Sequence, residues 1–222
     1  MTERADTVGE RKNLPVDLPS RVTVRPATLV DVPAVVRLFA PQAASFRTSG
    51  KDDGSADVDW ELAQRAMRLM LAHYALEDGH VRTAEREDGT LLAAAIWLPP
   101  EAGAEAADER FGGLLERELD VSLSEPSGLA TVLKAACPDE PHWKVVTVCA
   151  PEDIELWDHA LAAELLAPGL RAADEERAPA VAITLSVDLM APLWPLGFGR
   201  PYEVQSAPGA SVWLTARGPA AP

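Results

Sequence analysis

A chain of 222 residues is long enough to bury a full core as one domain of ordinary size. Its formal net charge of −15 repels polyphosphates, which argues against nucleic acid as a partner, and no run of about 18 apolar residues marks a membrane span. Cys137 and Cys149 are the only cysteines, which excludes a disulfide framework and a cysteine-rich zinc site; the start of the chain is polar and charged rather than apolar, so the expected compartment is the cytoplasm.

Residues 1–20 combine charge with prolines and show no periodicity, so they read as a flexible tail, and one domain is expected over residues 21–217. Val22 to Arg25 alternates apolar and polar residues as a half-buried strand does. Asp31 as N-cap, Pro33 in the first turn, and Val32, Val35, Val36 and Phe39 at helical spacing then predict a helix. A second, with a wide apolar arc, is predicted from Trp60 to Leu76.

Two strand-like runs, His80 to Ala84 and Leu91 to Leu98, flank Glu87-Asp88-Gly89 and predict a hairpin ended by Pro99-Pro100. Residues 101–136 are acidic and read as a helical insertion, with short helices near 111–119 and 129–136. Then follow a central strand from Trp143 to Cys149, a helix from Leu156 to Arg171, a buried strand from Ala180 to Val187, and a hairpin made by Tyr202 to Gln205 and Ser211 to Ala216. This order implies an α/β fold of the α+β kind, a mixed sheet flanked by helices.

The order and several short strings resemble the GNAT (N-acetyltransferase) superfamily, in particular its small-molecule branch related to puromycin N-acetyltransferase. The strings are Val22-Thr23-Val24-Arg25-Pro26-Ala27-Thr28 with Asp31, Pro141-His142-Trp143, Leu165-Leu166-Ala167-Pro168-Gly169-Leu170, and Leu196-Gly197-Phe198. The resemblance implies a mostly antiparallel sheet splayed between its fourth and fifth strands. It also implies a Gln/Arg-x-x-Gly-x-Gly/Ala loop after the fourth strand, whose backbone N–H groups hold the pyrophosphate of acetyl-CoA.

The corresponding stretch here, Pro151 to Ala162, contains no glycine, lysine or arginine, and it carries Glu152, Asp153, Glu155 and Asp158. A second departure lies before the last hairpin. The family's tyrosine, which serves as acid to the departing thiolate, falls at Leu193, and its asparagine falls at Leu189.

By the same resemblance His73 and Tyr74 are the catalytic candidates, on a helix that walls the acceptor side; His73 suits a general base because imidazole titrates near neutrality. A core histidine is the competing reading. A period of two places Trp143, Val145, Thr147 and Cys149 on one face of the central strand. With Trp97 and His142 at the strand ends, the expected substrate-binding set is Trp97, His142, Trp143, Thr147 and Cys149, against a purely structural reading of the same residues.

No metal is expected, since His159 and Glu155 form a helical pair with no third ligand in sequence. The first functional expectation is a GNAT-fold protein without ordinary acetyl transfer and without a predicted cofactor. It acts on a small, fairly apolar molecule, as a cyclase or lyase of specialised metabolism would. The alternatives are an N-acyltransferase using acetyl-CoA or another acyl-CoA through an atypical phosphate site, and a non-catalytic small-molecule-binding or regulatory protein; a homodimer is the partner expectation.

Overall fold

A computed structural model describes residues 22–48, 60–77, 79–100, 135–207 and 210–219. The expected tail, and the expected insertion up to residue 134, lie outside these. Strands β1 (Thr23–Pro26), β2 (His80–Glu85), β3 (Leu91–Leu98), β4 (Trp143–Cys149), β5 (Ala180–Thr184), β6 (Tyr202–Ala207) and β7 (Ala210–Arg217) form one seven-stranded sheet in the order β1-β2-β3-β4-β5-β7-β6. Every neighbouring pair is antiparallel except β4 and β5. A parallel pair needs a crossover, and helix α3 (His159–Glu175) supplies it.

Helices α1 (Val32–Thr48) and α2 (Trp60–Met70) cover one face of the sheet and α3 the other. Val32, Val35, Val36 and Phe39 are buried as the spacing predicts, together with Leu38, against Val81, Ala94, Ile96 and Val148. On the opposite face Leu161, Leu165, Leu166 and Ala173 of α3 meet Ala93, Ala95, Trp97, Val145 and Ala182. Being covered on both faces, β3 is buried from Leu91 to Trp97, and its continuous apolar run has that cause. Helix and sheet approach closely at Gly169, where an added Cβ would lie 2.1 Å from the Trp97 indole.

The β2–β3 hairpin forms as predicted. Gly89 takes φ +80°, a conformation that favours glycine, and Thr90 N–H donates to Asp88 Oδ1 at 2.9 Å.

Several expectations change. Asp31 is not the N-cap of α1: it ends a 3-10 turn (Leu29–Asp31), accepts from Thr28 N–H at 2.7 Å, and takes both Arg25 amino groups at 2.8 Å. Arg25 also reaches Glu85, so one buried carboxylate ties β1, β2 and the start of α1 together. The second helix stops being α-helical at Met70 and continues as a π turn (Leu71–Ala75). The wider turn buries both Leu71 and Ala75 and leaves His73 exposed. The fifth strand ends at Thr184 rather than Val187, because Ser186 accepts from Asp188 N–H and opens a 3-10 turn (Val187–Leu189).

Candidate functional site at the fork between β4 and β5

Strands β4 and β5 pair from Trp143↔Ala180 to Thr147↔Thr184. Beyond that rung β4 runs on through Val148 and Cys149 against β3, while β5 has ended. The result is a fork at the carboxyl ends of two parallel strands, where open α/β sheets place their ligands. Thr147 and Thr184 lie side by side on the α3 face of the last rung, both buried, and Thr147 Oγ1 has no hydrogen-bond partner. Cys149, two residues further on the same face, is 1% exposed, and burial, with Glu152 nearby, pushes its thiol up to about 11.

The floor of this region is apolar. Trp157 is anchored by Nε1–H donating to the Leu189 carbonyl at 3.0 Å, and Leu161, Leu189, Met190 and Leu193 are buried in the same core. Leu193 and Leu189, where the resemblance leads one to expect a tyrosine and an asparagine, are both 0% exposed. They fill volume where polar side chains would need hydrogen-bond partners.

After β4 the chain makes a 3-10 turn (Pro151–Leu156) instead of entering a helix at once. The turn's three carboxylates and Asp158 just beyond it have separate roles. Asp153 is buried and bound by Arg86 from the β2–β3 turn, a cation that the local sequence around Asp153 does not contain. Asp158 is the N-cap of α3 and accepts from Leu161 N–H at 2.9 Å, so the helix terminus is satisfied by a side chain of its own. Glu152 and Glu155 are exposed beside it. His159, also exposed, has Nδ1 3.4 Å from the Pro192 carbonyl, and among the described residues no group of three His, Cys, Asp or Glu could hold a metal ion.

The expected site residues do not form one group. Thr147 and Cys149 meet at the fork. Trp97, paired with Val145, is two residues along from Thr147, and its ring meets edge to face, at 6.2 Å, that of Trp143, which lies at the far end of β4, about 13 Å from Thr147 and about 20 Å from Cys149 at ~3.3 Å per residue. His142 is there too, buried, with Nδ1 2.8 Å from the Glu140 carbonyl and Nε2 without a partner. Trp97 thus stands between Thr147 and Cys149 at the fork and Trp143 and His142 at the far end of β4. His73 is exposed and Tyr74 half-buried on the α2 side, across the sheet from Thr147 and Cys149. Sequence reading missed Arg86, whose link to Asp153 spans 67 residues, and His80, whose ring stacks on Trp143 at 5.8 Å.

Known structures place this architecture in a class. The α/β sheet with a single parallel pair and flanking helices is an acyltransferase fold, and it is the fold of the GNAT acetyltransferases. The chain is similar to a histone acetyltransferase HPA2 and related acetyltransferase from Corynebacterium glutamicum, with TM-score 0.58 and 18% identity over 90% of this chain and 98% of that one. It is also similar to SsHAT, with TM-score 0.56 and 19% identity over 91% and 100% of the two chains. A provisionally assigned phosphinothricin N-acetyltransferase superposes with TM-score 0.51 at 14% identity, over 90% and 100%. No family sequence model and no curated protein sequence matches the chain.

Proposed function

We propose that this GNAT-fold chain does not carry out acetyl transfer from CoA in the family's usual way, and that it acts on a small, fairly apolar molecule at the β4–β5 fork. The observation that carries this reading is the start of α3. A pyrophosphate needs free backbone N–H groups and a positive local field. At this terminus Asp158 accepts one of those N–H groups, Glu152 and Glu155 add exposed negative charge, and no glycine permits close approach. Charges of the same sign a few ångströms apart in a partly desolvated site cost on the order of several kcal/mol, which is orders of magnitude in affinity. These residues do not suit the pyrophosphate of CoA.

The apolar floor of Trp157, Leu189, Met190 and Leu193 suits an apolar ligand, and the unpartnered Thr147 hydroxyl offers it one polar anchor. Cys149 is no nucleophile on this reading, because the thiol is buried and held protonated. A second reading, an acyl-CoA-dependent N-acyltransferase, draws on the retained fork between the parallel strands. The two separate in a thiol-release assay with acetyl-CoA and a broad panel of amines. Our reading expects release no faster than without protein; amine-dependent release that saturates with acetyl-CoA would establish the second.

A further inference from the structure

Four arginines of the described residues are half-buried, and three of them end on carboxylates: Arg25 on Asp31 and Glu85, Arg86 on Asp153, and Arg217 on Asp174. Arg82 is the fourth. Its Nε is shut off from solvent without an acceptor, and no carboxylate of the described residues reaches its guanidinium, although the chain carries 35 acids against 20 bases. A charged donor left without an acceptor in a half-buried setting is costly, and acceptors on this chain are plentiful elsewhere.

A second orphan donor lies beside it. Trp97 is 0% exposed, and its indole N–H has no partner. The register His80↔Trp97 and Arg82↔Ala95 makes Arg82 and Trp97 diagonal neighbours on adjacent strands, about 7–8 Å apart, within reach of one small group placed between long side chains. Both belong to the α3 face, as Ala84, Ala95 and Trp97 in the core beneath α3 show. Gly169 fixes the indole from above, since its missing side chain is what lets the ring lie against α3. The neighbouring indole of Trp143 has no such need, because it donates to Glu176 at 2.9 Å.

We propose that Arg82 and Trp97 form a binding site for a small aliphatic carboxylate on the α3 face, two strands from the fork, with Arg82 level with Thr147. The guanidinium takes the two carboxylate oxygens in its planar fork, and the Trp97 N–H donates to one of them. Val24, Ala84 and Ala95 supply apolar surface for the short chain. The chemistry selects this class: both orphan groups are donors, so the ligand must bring acceptors, and a planar anion matches guanidinium geometry better than a tetrahedral one with a second charge. His80, exposed on the same strand face and stacked on Trp143, stands at the rim.

The test is a titration of the ¹⁵N-labelled full chain with sodium butyrate, with sodium chloride at matched ionic strength as reference, reading the indole N–H signals. Butyrate should move the Trp97 signal, assigned through Trp97→Phe, saturably, and chloride should not. Arg82→Gln should weaken the response at least about tenfold, and Arg82→Lys, which keeps the charge but not the fork, should weaken it less. A Trp97 signal that butyrate leaves unmoved, that chloride moves equally, or that responds unchanged in Arg82→Gln overturns the proposal. If Trp97→Phe does not fold, calorimetric titration of butyrate into the wild type and Arg82→Gln reads the same difference.

Discussion

Asp31 carries more of the fold than its place in the sequence suggests. Hydrogen bonds from Arg25 first, then from Thr28, hold its carboxyl well below the usual carboxylate range, although burial works the other way. Arg25 is about one-third exposed, so solvent screens part of the gain. Asp31→Asn should therefore cost about 1–2 kcal/mol at neutral pH, read as a lower denaturant midpoint. The sign of the pH dependence follows from the depressed value: the contribution is complete above about pH 4 and fades as pH falls from there toward Asp31's own value. The gap between wild type and Asp31→Asn should shrink between about pH 4 and pH 3, and a constant gap would refute the linkage.

Cys149 belongs to the same scale. With its thiol pushed up to about 11 and 1% exposed, it should resist iodoacetamide in the folded protein, whereas half-buried Cys137 reacts first. Mass spectrometry of the labelled peptides distinguishes the two, and early labelling of Cys149 would mean that the fork is open to solvent. In the sequence Asp31 looked like a helix cap, because Asp before a helical stripe usually is one. Its real partner, Arg25, lies on the preceding strand, and only the turn between them brings the two together.

Among elements, α3 shapes the surroundings of both Trp97 and the fork. Gly169→Ala drives a methyl group into the Trp97 ring, whose 0% exposure leaves it nowhere to move. The expected loss is about 2–3 kcal/mol in a thermal or denaturant melt, against the few tenths that glycine to alanine normally gains in a helix. At the other end of α3, Asp158→Ala removes the cap and should cost about 1 kcal/mol. A melt unchanged by Asp158→Ala would show that the cap is replaceable.

The strands and the β2–β3 turn were legible because period two and an Asp-Gly pair are local signals. The π turn at Leu71–Ala75 and the early end of β5 were not. Burial of Leu71 and Ala75 decides the first and the Ser186 turn the second, and neither leaves a mark on periodicity.

For the whole molecule, element order alone was enough to expect a mixed sheet flanked by helices, and the single parallel pair follows from the long helix that connects β4 to β5. The site was legible only in part. Thr147 and Cys149 sit where period two and the fork place them, yet Trp143 shares their face and lies at the far end of β4. A face was readable in sequence, but position along it relative to the fork was not. Nor was Arg82, whose significance lies in the partner it lacks among the described residues.

An acidic 3-10 turn precedes α3 and Asp158 caps it, and the proposed function rests on these two features. Calorimetric titration of acetyl-CoA into the full chain tests it most directly. The account predicts no saturable heat up to about 1 mM ligand, corresponding to binding weaker than about 4 kcal/mol. Saturable binding in the micromolar range would contradict it.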